Sequence, residues 1–187
     1  MKTKHLFILL LTWVLVMQAS VGGLAGPPVV IQCSVPFSIR NAGLEVQGTL
    51  AGVEADIAFH PSDLARSHIT ATADPATLQT GIGLRDKHLQ GPDYFDAKTH
   101  PCIRLRSKAF RKTGKDAFNG WFEVTIKGVT KETSIPFTVR RVGVSTEYRG
   151  NFELDRLDFN LGEESPILDR KVRIFITLNL RDDSPGS

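Results

Sequence analysis

Apolar and polar residues alternate with a period of two along most of the chain, from about residue 34 to residue 180. Successive side chains of a β-strand point to opposite faces, so each alternating run predicts a strand with one buried face. Turn-forming glycine, proline, asparagine and aspartate residues separate the runs. Eight or nine short strands can be placed in this way, at about 35–39, 44–50, 53–59, 69–73, 103–110, 122–126, 135–139, 148–159 and 172–180.

The apolar face of these runs continues from the first to the last, which predicts an antiparallel sheet closed on itself. A barrel is favoured over the alternative, a sandwich of two sheets, because a closed sheet leaves no unpaired edge strand to protect. We therefore expect an all-β fold, a closed antiparallel barrel of about eight strands. The interior of such a barrel is either just filled by side chains or holds one small ligand, and the pattern is compatible with both.

One stretch breaks the alternation, from Gly81 to Pro101, and we call it the helical segment. Helical turns are predicted within it around residues 87–89 and 92–97. Long ordered segments between strands often act as lids or binding elements. The helical segment is therefore a candidate for contacts with a ligand.

Glycines and polar residues predict where the chain bends between strands. Gly48 lies within an apolar run and predicts a bend or bulge. Residues 112–120 predict a polar hairpin that ends at Asn119-Gly120, and residues 128–131 predict a tight reversal. The strand that contains Tyr148 is expected to continue through Phe159, with a loop at 160–166.

The first 25 residues have the order of a secretory signal peptide. Lys2 and Lys4 precede an uncharged, mostly apolar run over 6–16, and small residues follow up to Ala25. The apolar run is shorter than the roughly 20 residues that a membrane-spanning helix needs, so we expect no stable membrane span after cleavage. The expected organisation is a signal peptide at 1–25 and one β-barrel domain at 26–187.

The charge balance argues against a nucleic-acid partner. The chain has 23 basic and 20 acidic residues, a net charge of +3, and without Lys2 and Lys4 the net charge falls to +1. The basic residues mostly occupy the polar half of alternating strands, as Arg104 and Arg106 do. The sequence shows no basic cluster with interleaved aromatic residues of the kind that binds nucleic acid.

Two cysteines, Cys33 and Cys102, follow the predicted signal peptide. An even number of cysteines in an oxidising compartment would allow a disulfide. However, Cys33 is in phase with the apolar residue Val35, whereas Cys102 is out of phase with Ile103, so the two side chains should face opposite sides of the wall. The pattern therefore favours two free thiols.

The sequence contains no recognisable catalytic or metal-binding motif. His60, His68, His88 and His100 are scattered over loops and strand ends. Asp86 and His88 are two residues apart, but without an adjacent nucleophile they are more typical of a local hydrogen-bonded pair than of a catalytic dyad. We expect neither an enzyme nor a metal site.

The strand pattern predicts an inner wall that is almost wholly apolar. A cavity lined in this way would be dry and could favour only an apolar guest. The alternative, that the same side chains simply fill the core, stays open. The predicted inner-wall and ligand-binding residues are Val35, Phe37, Ile39, Val46, Ile57, Phe59, Ile103, Leu105, Phe122, Val124, Ile126, Phe137, Phe159, Ile174 and Ile176.

Four blocks of the sequence resemble the YceI family of secreted lipocalin-like proteins. They are residues 80–101 (TGIGLRDKHLQGPDYFDAKTHP), 124–131 (VTIKGVTK), 156–159 (RLDF) and 172–174 (VRI). The blocks follow one another in the family's order and, together with the signal peptide, span nearly the whole chain.

The resemblance implies a lipocalin-like barrel with a short helical excursion, in the bacterial periplasm or secreted. It implies a lumen that binds or transports a polyisoprenoid, a quinone tail or a fatty-acid-like lipid, with no catalytic residue and no catalytic cofactor. Arg85, Asp86, His88, Tyr94 and Phe95 match the family's most recognisable motif, and they either contact the ligand or pin the helical segment. The expected partner is an apolar small molecule or lipid, and the expected assembly, if the chain assembles, is a homodimer. The alternative is an interaction or stress-response module that acts through its surface, with a side-chain-filled barrel.

Overall fold

The computed structural model describes residues 29–181. The signal peptide predicted at 1–25 therefore lies outside the described residues and stays a prediction. The last six residues of the chain also lie outside the described residues.

The described residues form a closed antiparallel β-barrel with one short α-helix, which confirms the predicted fold class. Eight long strands make the barrel, and one two-residue strand is added beside the second of them. Short 3-10 helices lie at Leu64–Arg66, Pro75–Thr77 and Arg156–Phe159, and the α-helix is α1 (Gly83–Gln90). The strands are β1 (Val29–Asn41), β2 (Leu44–Ala58), β3 (His68–Ala73), β4 (Leu78–Gln79), β5 (Ile103–Lys112), β6 (Ala117–Ile126), β7 (Val129–Val142), β8 (Ser145–Asp155) and β9 (Lys171–Arg181).

Strands that follow one another in the chain are mostly neighbours in the sheet, and β1 closes the barrel by pairing with both β2 and β9. The short strand β4 pairs with β2 at Thr49 and Leu50. The seam between β1 and β9 has two registered pairs, Phe37 with Ile174 and Ser38 with Arg173, in the part of the chain that the structure describes. The adjacent β8–β9 pairing extends without interruption from one end of the two strands to the other.

The bulge in the long hairpin lies at Gly52 and not at Gly48, so the predicted position is wrong. The β1–β2 register shifts between Cys33 and Val35, opposite Ala51 and Gly52. Gly52 has a φ of +62°, a left-handed conformation that glycine adopts without strain. Because the bulge absorbs the irregularity, β2 is one continuous strand where the sequence predicted two.

Two predicted turns are shifted along the chain. The polar hairpin occupies residues 113–116, and β6 already begins at Ala117, so Asn119 and Gly120 lie inside a strand. The later reversal consists of Lys127 and Gly128, both with positive φ, and β7 begins directly after them. A two-residue turn with two positive φ angles matches the twist of the flanking strands, which explains why the hairpin is so tight.

The strand β8 ends earlier than predicted, at Asp155. The Asp155 carboxylate accepts a hydrogen bond from the Leu157 backbone N–H at 3.0 Å and caps a 3-10 helix that continues to Phe159. Phe159 is nonetheless almost fully buried, because the 3-10 helix turns its ring back into the barrel. The alternation thus identified a buried residue correctly and assigned it the wrong backbone.

Apolar side chains pack into two clusters at opposite ends of the barrel. The first contains Phe59, Phe118, Val139, Tyr148 and Leu180, and we call it the aromatic end. The second contains Val124, Ile126, Phe159 and Leu161, with Tyr94 and Phe95 of the helical segment packed against it. The helical segment therefore covers the end of the barrel opposite to the aromatic end.

Candidate ligand-binding site

A cavity of about 490 Å³ lies inside the barrel between these two clusters. Side chains from all eight long strands and from the helical segment line it. Fourteen of the fifteen predicted inner-wall residues are among them: Val35, Phe37, Ile39, Val46, Ile57, Ile103, Leu105, Phe122, Val124, Ile126, Phe137, Phe159, Ile174 and Ile176. Their position on the wall is thus established, and their contact with a ligand stays a prediction.

Phe59 is the predicted wall residue that lies elsewhere. Its ring makes edge-on contacts with Phe110, Phe118, Phe137 and Tyr148, with centroids 5.0 to 6.2 Å apart. Phe59 follows the last residue of β2, so its ring lies in the aromatic end that closes the barrel and not beside the cavity. Phe118, which belongs to this layer and is 2% exposed, was missed because the sequence placed it in a polar hairpin.

The inward side chains of the barrel differ in how completely they are buried. The inward side chains of β6, Phe122, Val124 and Ile126, are buried. By contrast Val35 of β1 and Ile174 of β9 remain half-exposed although they point into the barrel. An inward residue that is still accessible faces unfilled space, and because Ile103 and Leu105 of β5 are also only half-buried, this space is not confined to one side of the barrel.

Several lining residues were not among the predicted wall residues, although the signal for most of them was present. Leu50, Val53, Phe152, Leu154 and Val172 line the cavity and continue the same alternation. A strict period-two rule applied to every strand would have included them. Thr80 and Leu89 also line the cavity, but they lie outside the strand pattern.

Arg85 and Asp86 pin the beginning of α1 to Thr80. The Arg85 Nε donates to the Thr80 hydroxyl and its Nη2 donates to the Thr80 carbonyl, each at 2.7 Å. The Asp86 carboxylate accepts from the Thr80 backbone N–H at 2.8 Å and from the Thr80 hydroxyl. Asp86 thus has a structural role, whereas Arg85 pins the helix and also lines the cavity.

His88, Tyr94 and Phe95 line the cavity from the helical segment. The His88 ring packs edge-on against the Tyr94 ring, with centroids 5.1 Å apart. Tyr94 also lies against Gly162, where a Cβ would come within 2.8 Å of the Tyr94 ring, so this close approach requires glycine. Asp86 is bonded to Thr80 and His88 contacts Tyr94, an arrangement that does not bring the two residues together as a catalytic dyad.

Arg156 is a buried arginine in the wall of the cavity, 3% exposed, and the strand pattern gave no signal for it. Its guanidinium donates to the backbone carbonyls of Asp169 at 3.0 Å, Leu161 at 2.8 Å and Glu163 at 2.7 Å. A further contact to the Leu168 carbonyl is 3.4 Å long. Arg156 therefore organises the loop between β8 and β9 from inside.

Both cysteines are free, as their opposite phase in the strand pattern predicted. Cys33 lines the cavity, and burial raises the pKa of its thiol because the charged thiolate is poorly solvated there. The Cys102 Sγ lies 3.5 Å from the Ile103 carbonyl oxygen. Cys33 is therefore a chemical probe for the cavity, with Cys102 as its control.

Among residues 29–181, no group of His, Cys, Asp and Glu side chains is arranged to hold a metal ion. Within the same residues, no helix has both the length and the apolar character needed to cross a membrane.

The fold and the cavity define a closed antiparallel β-barrel protein with an apolar internal chamber. The sequence profile of the YceI-like domain matches residues 28–180, and the chain belongs to the YceI family. A UPF0312 protein of Photorhabdus laumondii is 28% identical over 152 residues, which cover 75% of this chain and 78% of that relative.

Two solved structures show the same fold. The BcnA structure from Burkholderia cenocepacia superimposes with a TM-score of 0.75 and 26% identity, covering 78% of this chain and 94% of BcnA. A polyisoprenoid binding domain from Saccharophagus degradans superimposes with a TM-score of 0.65 and 12% identity, covering 81% of this chain and 96% of that domain.

Proposed function

We propose that this protein binds a lipid in the barrel lumen, either a long-chain, quinone-like isoprenoid or a related amphiphilic lipid. It sequesters or transports this lipid without catalysing a reaction. The observation that carries the proposal is the cavity itself. Its volume of about 490 Å³ lies within the range of roughly 300–1,000 Å³ that small-molecule sites occupy. An empty apolar chamber of this size has no stabilising purpose, since unfilled space in a protein core costs free energy.

The energetics of the wall suit a hydrocarbon guest. Each buried methylene contributes about 0.8 kcal/mol, so one isoprene unit contributes roughly 3 kcal/mol. A few units offset the loss of translational and conformational freedom on binding. The contact surface is provided mainly by branched aliphatic and phenylalanine side chains, which offer a chain no competing hydrogen bonds.

The comparisons support the class of ligand. The domain from Saccharophagus degradans is a polyisoprenoid binding domain, and it shares the barrel. Because that domain is only 12% identical to this chain, the match shows a shared fold and no more. The proposal that the ligand is an isoprenoid therefore rests on the cavity and the family together. The signal-like N-terminus and the family resemblance support a periplasmic or secreted location as part of the same proposal.

The cavity also supports this function over the alternative of a surface-acting module. A barrel that works only through its outer face would be expected to fill its interior with side chains, as packed cores do. Here the inward residues of β1 and β9 face open space instead.

The experiment is native mass spectrometry of the purified protein, followed by organic extraction and analysis of any lipid released. We expect an adduct of one amphiphilic lipid per chain. Protein that carries no lipid and does not enhance the fluorescence of the neutral apolar probe N-phenyl-1-naphthylamine would refute the proposal.

A further inference from the structure

We propose that the cavity prefers a lipid with an anionic head group, that is, a long apolar chain ending in a carboxylate or a phosphate. The proposal rests on the lipid-binding function proposed above and specifies the chemistry of the ligand's polar end. The charged side chains that line the cavity and are not exposed are Arg85 and Arg156, because Arg149, which also borders the cavity, is exposed and paired with Glu147 at 2.7 Å; neither aspartate nor glutamate is among the lining residues that the structure describes. Basic and acidic residues are nearly equal in number in the whole sequence, 23 against 20, so this bias belongs to the cavity.

Arg156 places a buried positive charge in the wall without a carboxylate partner among the described residues. Its hydrogen bonds go to backbone carbonyls of Asp169, Leu161, Glu163 and Leu168. Carbonyl dipoles satisfy the N–H donors, but they do not supply a compensating negative charge. In an interior of low dielectric constant an anion nearby is therefore strongly favoured over a neutral group of the same size.

Arg85 offers a donor to such an anion. Its Nε and Nη2 bind Thr80, whereas its Nη1 has no partner in the part of the chain that the structure describes. The adjacent Asp86 carboxylate is occupied by Thr80. The Nη1 of Arg85 is thus available for a charge-assisted hydrogen bond to a carboxylate or phosphate oxygen.

Both arginines belong to the same end of the barrel. The helical segment carries Arg85 and meets the loop that Arg156 organises: the Gly162 backbone N–H donates to the Asp93 carbonyl at 2.7 Å. Lys127 ties the two segments together, since its Nζ donates to the carbonyls of Pro92 at 2.7 Å and Asn160 at 2.9 Å. The opposite end is filled with phenylalanine rings. The head group would therefore lie under the helical segment, with the tail directed toward the aromatic end.

The test compares lipids that share a tail and differ in their head. Oleate is measured against oleyl alcohol, and farnesyl diphosphate against farnesol, each by displacement of N-phenyl-1-naphthylamine from the purified protein. We expect the anionic member of at least one pair to bind about tenfold more tightly or better, as a charge-assisted hydrogen bond in a dry site implies. The pair that shows the preference distinguishes a carboxylate from a phosphate head.

Three variants identify the origin of the preference. Arg85→Gln should remove most of it, and Arg85→Lys should retain part of it because the charge stays. Arg104→Gln, on the exposed outer face of β5, should leave it unchanged. A loss of preference in Arg85→Gln and Arg85→Lys alike would indicate that Arg85 only pins the helix.

The outcomes separate the two proposals. Equal binding of both members in both pairs would leave the lipid-binding function standing and overturn the anionic head group. Binding of none of the four lipids, together with an absence of probe binding, would overturn both.

Discussion

The ring of Phe37 occupies the space that a side chain at Gly48 would fill. A Cβ built on Gly48 would come within 2.2 Å of the Phe37 Cζ and within 2.9 Å of the Gln79 carbonyl oxygen. Phe37 and Gly48 are paired across β1 and β2, and Phe37 lines the cavity. The absence of a side chain at residue 48 therefore sets how far the Phe37 ring withdraws from the lumen.

Replacing Gly48 with alanine should push the Phe37 ring into the cavity. We expect a loss of stability of about 1–3 kcal/mol from overpacking, and weaker binding of N-phenyl-1-naphthylamine. Chemical denaturation and a probe titration measure the two effects. Gly83→Ala is the matched control, because nothing lies within 4 Å of a Cβ there and α1 begins at that residue. A Gly48→Ala protein with unchanged stability and binding would contradict this account.

Filling part of the cavity with a larger side chain should weaken ligand binding and spare the fold. Ile176 lines the cavity from β9 and is only half-buried, so Ile176→Trp has space to occupy. Excluding even two methylenes of a guest, at about 0.8 kcal/mol each, weakens binding at least about tenfold. Probe titration and thermal melting check this. The control is Thr177→Trp, on the exposed outer face next to it; if both variants lose binding, the lumen is not the site.

Removing the Arg156 guanidinium should destabilise the barrel strongly. In Arg156→Gln several buried carbonyls lose their donors, at about 1–3 kcal/mol for each group left unsatisfied, so we expect a loss of about 3 kcal/mol or more. Urea denaturation measures the free energy of unfolding. Arg170→Gln, which breaks an exposed ion pair with Asp155, should have little effect. Comparable stabilities for the two variants would argue against a structural role for Arg156.

The Cys33 thiol should report on occupancy of the cavity and on pH. Because burial raises the pKa of Cys33 above its ordinary value of 9.0, the thiol should stay protonated and react slowly with iodoacetamide near neutral pH, faster as the pH rises. The folded state keeps this proton longer than the unfolded state, so the stability contribution is complete below pH 9 and declines above it. Mass spectrometry of Cys102→Ser protein, with and without bound lipid, follows the reaction. A bound lipid that failed to protect Cys33 would place the guest elsewhere.

The alternation of apolar and polar residues predicted the barrel and most of its inner wall, because a strand's side chains have only two faces to choose between. The pattern failed at buried residues whose secondary structure it assigned wrongly. Phe159 is buried although it lies in a 3-10 helix and not in a strand. Phe118 is buried in β6, next to the Asn119-Gly120 pair that predicted a turn. Arg156 could not be found in this way, since its partners are backbone carbonyls brought together by the closing of a loop. The roles of Arg85 and Asp86 depend on a hydroxyl at Thr80, which no periodicity indicates.

Among the described residues, β1 and β9 share two registered pairs, and one further bridge joins Asn41 to Leu168 just before β9. The neighbouring β8–β9 boundary is paired along the whole length of both strands, so fewer backbone hydrogen bonds oppose separation of β1 from β9 than of β8 from β9. We therefore expect a ligand wider than the cavity to be accommodated by widening of the barrel at the β1–β9 seam.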